Sequence, residues 1–354
     1  MPHAVEVRTP ARLHLGMMSF GVPTMRAFGG VGVMVDRPGV HVRLRRAERF
    51  EARGPHGERA LRFAQTCVQG WGLETAGCAI EVLAAPRSHV GLGSGTQLGL
   101  AVAAGMRHLF RGAPHREPAG VPHPAQESPR PSDQDWLFDT RDALELARIV
   151  GRGRRSCVGV YGFSRGGLIV EAGRSIAAPE AHDDAKREFS PMVARVRLPS
   201  TWRCVVIVGR DVTGLHGEAE KAAFSRLPPV PNEVSAELAQ IALLELLPAA
   251  VEAKFADFAR AVKRYGTLAG KPFATESRDL PYAGATERLL ELLDELGFPG
   301  AAQSSWGPAV MVCCETLELA GQLTEVLESL GLAEHHDIVI ARFDAQGAVL
   351  REVG

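Results

Sequence analysis

Long apolar runs are missing from this chain: none of its 354 residues fall in a stretch of roughly 18 uninterrupted apolar residues, and no apolar segment precedes a cleavage-type site near the first residue. A soluble, cytoplasmic protein is the expectation. A surplus of charge is missing too, with 40 Lys and Arg against 41 Asp and Glu. No overall field therefore draws the chain to nucleic acid or to a membrane surface, and its partners are expected to be small molecules. Cysteine is sparse. Cys67, Cys78, Cys157, Cys204, Cys313 and Cys314 have neither metal-ligand spacing nor the pattern of a secreted disulfide framework, so reduced thiols are expected. Two familiar phosphate motifs are absent as well. Gly91-Leu-Gly93-Ser-Gly95-Thr96 lacks the third glycine of the dinucleotide fingerprint and the acidic residue that should follow it. Gly266-Thr-Leu-Ala-Gly270-Lys271-Pro272 is one residue short of a Walker sequence and has Pro where Ser or Thr should hold magnesium.

What is present is a strand-turn-helix unit. Cys78, Ile80 and Val82 alternate with Ala79, Glu81 and Leu83 as in a half-buried strand, and Leu98, Ala101, Val102, Gly105 and Leu109 recur at helical spacing. Between them lies the glycine-rich turn from Pro86 to Thr96. Such a turn leaves backbone N–H groups unsatisfied at the helix N-terminus, where the macrodipole also favours an anion. Gly91, Gly93 and Gly95 permit close approach of a ligand, while Ser94 and Thr96 add hydroxyl donors. The plainer alternative is a tight helix-capping turn with no ligand.

The length suits two domains, read as 1–196 and 197–354 with the junction near Arg197–Trp202. Alternating residues predict β-structure over the first fifty positions, with a turn at Asp36-Arg-Pro-Gly39, then a helix over 58–71. Residues 111–135, rich in Pro, Gly and charge, are expected to be a mobile surface insertion, with a functional lid as the alternative. A helix is predicted from Trp136 to Ile149, and after a Gly/Arg turn a strand pair around Val158–Tyr161 and Leu168–Val170. The second half alternates a strand at Val205–Val208, helices across 233–265 and 284–296, a strand at Ala309–Cys313, a helix at Leu317–Leu330 and a strand at 337–343. Helices on an antiparallel sheet, an α+β layer, fit this order.

Three segments together carry a resemblance. Pro86-Arg-Ser-His-Val-Gly-Leu-Gly-Ser-Gly95 resembles the phosphate loop of the GHMP superfamily of galactokinase, homoserine, mevalonate and phosphomevalonate kinases. Thr9-Pro-Ala-Arg-Leu-His-Leu-Gly16 and Gly300-Ala-Ala-Gln-Ser-Ser-Trp-Gly-Pro308 resemble its first and last conserved segments, in the right order. Within the superfamily, Phe28-Gly-Gly-Val-Gly-Val33, Gly151-Arg-Gly-Arg-Arg-Ser156, Gly166-Gly-Leu-Ile-Val170 and Gly214-Leu-His-Gly-Glu218 are similar to the beta-ribofuranosylaminobenzene 5'-phosphate synthases. The resemblance implies a two-domain α+β fold, with a ribosomal-S5-like N-terminal domain and a ferredoxin-like C-terminal domain. It implies a C-riboside synthase of methanopterin biosynthesis that joins phosphoribosyl pyrophosphate to 4-hydroxybenzoate or 4-aminobenzoate with loss of carbon dioxide and pyrophosphate. Magnesium is implied as companion of the phosphates, no organic cofactor is needed, and a homodimer is compatible with the family. An ATP-dependent small-molecule kinase is the alternative. Several kinases of the superfamily place an aspartate about eight residues before a Gly-Gly pair, and here Ser156 to Arg165, ahead of Gly166-Gly167, contains no carboxylate.

Site residues follow from both lines of reading. The loop Gly91, Gly93, Ser94, Gly95 and Thr96 is assigned to pyrophosphate, and Arg152 and Arg154 to pyrophosphate or the ribose 5'-phosphate, with a solvated charge run as the alternative. Arg12 and His14 lie two apart on a strand and share a face, presenting a cation and a titratable group; a merely solvated face is the alternative, which the resemblance disfavours for Arg12. Arg26 with Gly29 and Gly30 is a candidate clamp for the benzoate, or a plain hairpin. Gln303, Ser304, Ser305 and Trp306 offer polar donors beside an aromatic plane for the substrate, or a turn with Trp306 in the core. His216 and Glu218 are a weaker pair, and no metal ligands are assigned. Cys313 and Cys314, adjacent on an apolar strand, read as packing residues.

Overall fold

The alternating valines and leucines near the start form two long antiparallel strands, β1 (Ala4–Ser19) and β2 (Arg26–Ala47). They are the spine of a computed structural model that describes residues 3–20, 26–73, 77–111, 136–175, 188–212, 226–274, 285–305 and 307–353. The expected insertion 111–135 lies, apart from Arg111, outside these residues. The expected turn at Asp36–Gly39 does not reverse the chain. β2 runs through it, and the register jumps from Thr9↔Val40 to Ala11↔Val35, so these four residues form a bulge. The Asp36 carboxylate accepts the Arg342 N–H at 2.8 Å, tying the bulge to the second half of the chain.

Around this pair the first sheet grows on both sides. β3 (Glu51–Arg53) and β4 (Gly77–Ala84) extend the far half of β2, with α1 (Gly57–Trp71) connecting them. α2 (Ser94–Leu109) follows the glycine turn and is buried along nearly its whole length, since small residues let it approach its neighbours. Gly99 admits the Phe63 ring and Gly105 admits Leu44. The short β5 (Trp136–Leu137) takes the first two residues of the predicted helix 136–149; α3 (Thr140–Ile149) begins only after Asp139, which caps it reciprocally with Asp142.

Val158–Tyr161 is not a strand but the start of a helix, α4 (Val158–Arg165). A short apolar run buried on every side has no periodicity that separates helix from strand. Its ends decide: the Glu171 carboxylate accepts the Cys157 N–H at 2.7 Å at the helix entry, and Gly166 and Gly167, both at positive φ, stop it. β6 (Leu168–Glu171) then pairs with β2 from Gly30 to Val33, and β7 (Arg174–Ser175) and β8 (Met192–Val196) complete that edge.

The second sheet contains β9 (Arg203–Gly209), β10 (Ala301–Gln303), β11 (Val310–Cys314) and β12 (His336–Arg342), all antiparallel, in the order β10-β11-β9-β12. The helical stretch expected over 233–265 is α5 (Asn232–Gln240), a π-helical segment Ile241–Leu246, α6 (Leu247–Val251) and, after a break at Ala253 with φ 56, α7 (Phe255–Ala274). The run Asn232–Val251 is long and apolar enough by composition to cross a membrane, although no uninterrupted apolar stretch announces it. Leu238, Ile241 and Leu246 bury its inner face in the core between the sheets. α8 (Ala285–Glu295) and α9 (Leu317–Ser329) cover the other face of the second sheet through Leu293, Leu323 and Leu327. Cys313 and Cys314 face opposite cores as expected, and burial pushes both thiols up, Cys314 to about 12.

The chain does not stay with the second sheet to its end. β13 (Val349–Val353) pairs antiparallel with Ala4–Arg8 of β1, so the segment 197–354 includes a strand of the first sheet. One core also joins the two layers: Leu13, Leu15, Val31 and Val33 meet Trp202, Val206, Phe258, Tyr265 and Met311.

Candidate functional site

The glycine turn is built by three chain segments that interlock. Arg12 donates its backbone N–H to the Leu92 carbonyl at 3.0 Å, and Ala309 donates to the Val90 carbonyl at 3.1 Å. The Ser304 hydroxyl donates to the Gly91 carbonyl at 2.7 Å and accepts the His14 N–H at 2.9 Å, while Ser305 donates its N–H to the His14 carbonyl at 2.8 Å. A Cβ on Gly91 would strike the Ser304 carbonyl, so only glycine lets the segments meet at its φ of 94°. Gly93, at φ 68°, is the N-cap of α2 and accepts from Thr96 and Gln97 through its carbonyl. The first-turn N–H groups of Ser94 and Gly95 have no protein acceptor among the described residues. They are the donors that an anion would take.

Arg12 and His14 share a face of β1, as expected, but that face is covered rather than solvated. α4 packs over it, with Val158 against Gly32 and Tyr161 against Met34 and Ile169. The aliphatic stem and Nε of Arg12 stand 3.1 and 3.3 Å from where a Cβ on Gly93 would sit, and Arg12 Nη1 reaches the Gly91 carbonyl at 3.4 Å. His14 is buried. Its Nδ1 accepts the Gly16 N–H at 3.2 Å, which puts the proton of a neutral ring on Nε2, and Nε2 has no partner among the described residues. Burial, reinforced by the Arg12 charge, pushes the imidazole down to about 3. His14 is thus a neutral N–H donor at neutral pH.

An unfolded His14 would titrate near its ordinary 6.5, whereas the folded one does so near 3. Between these values the unfolded chain binds a proton that the native protein does not, so this residue lowers stability as pH falls, at up to about 1.4 kcal/mol per pH unit. Histidine NMR is expected to show one ring that stays neutral with its proton on Nε2 from pH 7 down to the acid transition. A His14 signal titrating near 6.5 in folded protein would contradict this.

Sequence reasoning missed Glu171. It is fully buried, and it pairs with Gly30 across β2 and β6, so it lies on the face that carries His14, whose Nε2 is 3.3 Å from a Cβ position on Gly30. Desolvation raises its pKa, against the lowering effect of hydrogen bonds at Ser156 and Cys157 and of the Arg12 charge. A glutamate ending a short apolar strand gave no signal of this placement. Gln97, inside α2, is buried and donates to the Gly159 carbonyl at 2.7 Å, leaving its Oε1 without a partner among the described residues.

Other assigned residues fall less simply. Arg26 donates through Nε and Nη2 to the Gly173 carbonyl at 3.0 and 2.7 Å and through Nε to Ala172 at 3.2 Å. These bonds brace the hairpin that holds Gly29 and Gly30. Gln303 likewise donates to the Gly307 carbonyl at 3.0 Å, so Gln303, Ser304 and Ser305 shape the loop from behind. The Arg152 guanidinium lies over the Phe63 ring, which packs against Gly99 of α2, whereas Arg154 is exposed. Trp306, His216 and Glu218 lie outside the described residues.

The residues at the turn do not fit a protein-held metal. Among the described residues no three His, Cys, Asp or Glu side chains are grouped so as to hold an ion, and the charges that approach the turn are guanidiniums. The arrangement is suited to binding anions with fixed donors.

No family model matches the chain. A beta-ribofuranosylphenol 5'-phosphate synthase from Archaeoglobus fulgidus is 30% identical to it over 315 residues, covering 86% of each chain. A protein of the same name from Methanothermobacter thermautotrophicus is 27% identical over 338 residues, covering 91% of this chain and 92% of its own. Among solved structures, mevalonate pyrophosphate decarboxylase from Streptococcus pyogenes superposes with a TM-score of 0.64 over 97% of this chain and 98% of that one, at 11% identity. That likeness shows the GHMP-type two-domain α+β fold.

Proposed function

Because this chain belongs to the beta-ribofuranosylphenol 5'-phosphate synthase family, we propose that it condenses phosphoribosyl pyrophosphate with 4-hydroxybenzoate or 4-aminobenzoate in a step of methanopterin biosynthesis. The observation that carries the reading is the glycine turn, with the unused N–H groups of Ser94 and Gly95 and the Arg12 side chain drawn against Gly93. Its buried, reduced cysteines suit a cytoplasmic enzyme.

Pyrophosphate leaves ribose C1 with the electrons of the C–O bond. The N–H donors of the turn and the Arg12 guanidinium stabilise the charge that develops on it. The ring carbon bearing the carboxylate attacks the cationic C1. The C–CO2 bond then breaks, its electrons restore the aromatic ring, and carbon dioxide departs. A para hydroxyl or amino group stabilises the intermediate ring cation by donating electron density. The protein supplies alignment and exclusion of water that would otherwise capture C1. Buried His14 contributes a neutral donor, which adds no positive charge beside the forming cation. Magnesium enters as the counter-ion of the diphosphate, and no protein ligand is assigned to it.

Carboxyl-labelled benzoates incubated with phosphoribosyl pyrophosphate and magnesium are expected to release labelled carbon dioxide in equal amount to pyrophosphate. A product that retains its carboxylate overturns the reading. So does stoichiometric ADP from ATP together with a phosphorylated small molecule, which would identify the kinase alternative. The absence of a carboxylate from Ser156 to Arg165, of which Val158–Arg165 is helix α4, supports expecting no ADP.

A further inference from the structure

Two guanidiniums reach the glycine turn at two different glycines. Arg12 lies against Gly93; Arg59, from the first turn of α1, lies so close to Gly95 that a Cβ there would collide with it. Arg59 donates to the Ser88 hydroxyl at 3.3 Å, at the start of the same turn. Its guanidinium carbon is 5.9 Å from the centre of the Phe63 ring, and that of Arg152 is 5.0 Å from the centre of the same ring. The ring packs against Gly99 of α2, so the two cations are gathered beside the first turns of that helix.

Among the described residues neither Arg59 nor Arg152 pairs with a carboxylate, and Arg152 Nε is buried without a partner. The charged groups that face Arg152 are Arg59 and Arg154. Burial, with the repulsion of these two, holds Arg152 down at about 10, and burial with Arg62 lowers Arg59. Two half-buried like charges held together cost free energy that a dianion between them recovers. Cation–ring contact keeps the planar groups oriented for bidentate bonding.

We infer that Arg59 and Arg152 form a phosphomonoester subsite at the Gly95 end of the turn, separate from the Arg12–Gly93 position. Resting on the proposed reaction, it takes the ribose 5'-phosphate while the turn and Arg12 take the diphosphate. The substrate carries these two anionic groups at opposite ends of one sugar, so two subsites also fix which face of C1 is offered to the ring carbon.

Calorimetry with ribose 5-phosphate, inorganic phosphate and pyrophosphate on the wild type, Arg59→Gln and Arg152→Gln separates the possibilities. Each variant is expected to weaken ribose 5-phosphate by about tenfold or more while pyrophosphate stays within about threefold, the difference expected for losing a charge-assisted pair at one subsite only. The retained pyrophosphate affinity also reports an intact turn. Arg59→Lys, which keeps the charge and loses the fork, should recover part of the loss. Equal weakening of both ligands, or of neither, overturns the assignment. Inorganic phosphate binding as tightly as ribose 5-phosphate overturns the sugar-phosphate assignment. A wild type that binds ribose 5-phosphate through these arginines yet makes no C-riboside sinks the proposed reaction and leaves the subsite. Product formation with ribose 5-phosphate affinity indifferent to both arginines sinks the subsite alone.

Discussion

Gly93→Val is expected to weaken phosphoribosyl pyrophosphate binding by well over about tenfold, because an obstructed turn forfeits several charge-assisted hydrogen bonds at once. Two effects combine. Gly93 has φ 68°, a conformation that a β-branched residue adopts only under strain, and its Cβ would press on Arg12 at 3.1 Å. Displacing either the turn or the arginine removes donors from the anion. Gly331→Val separates strain from binding: that glycine has φ 76° with open space around its Cβ, at the end of α9. Both variants should lose stability in thermal melts, and only Gly93→Val should lose the ligand in calorimetry. Unchanged affinity in folded Gly93→Val would remove the turn from the pyrophosphate site.

Much of this turn was legible in the sequence because its signal is local. A period-2 run, three spaced glycines and a period-3.6 run specify strand, turn and helix within about thirty residues, and the anion preference follows from the helix terminus. Three of the four strands of the second sheet, β9, β11 and β12, were readable for the same reason as short apolar runs, whereas the three residues of β10 are too few to show a period. Where the reading failed, local pattern was insufficient. Val158–Tyr161 is buried on all sides, so its fate depends on Glu171 capping the entry and on Gly166 and Gly167 closing the exit. Asp36–Gly39 has the composition of a turn, yet it is held in a bulge by long-range pairing to β1 and by Arg342. β13 is five residues, Val-Leu-Arg-Glu-Val, without the alternation that marks a strand, and its partner lies at the other end of the chain.

The site shows the same division. Arg12 and the loop glycines could be named from motifs, but Arg59 and Glu171 could not. Arg59 sits in an amphipathic helix where an arginine ordinarily faces water, and only the packing of Phe63 on Gly99 brings it to the turn. Arg26 has a further partnership that no local pattern announces. An arginine before two glycines reads as a clamp, and the structure also bonds it to the carbonyls of Ala172 and Gly173, well over a hundred residues later in the chain.

Arg12→Ala is expected to lower turnover by about a hundred- to a thousandfold, the scale of losing one preorganised donor to a developing negative charge, or roughly 3–4 kcal/mol. Its effect on stability should be smaller, since the backbone N–H that supports Leu92 remains in the variant. Two further shifts distinguish an electrostatic role from a packing one. The Arg12 charge lowers both His14 and Glu171, so its removal should raise both. His14 gains proton affinity while staying neutral at pH 7, and Glu171, already raised by burial, moves further towards its protonated form. Arg12→Lys restores the charge without the planar fork and should recover those shifts more completely than it recovers turnover. Single-turnover kinetics with NMR of His14 checks both halves. Turnover within about threefold of the wild type in Arg12→Ala, with only the melting temperature reduced, would make Arg12 a brace for Gly93 and leave charge stabilisation to the backbone donors of the turn.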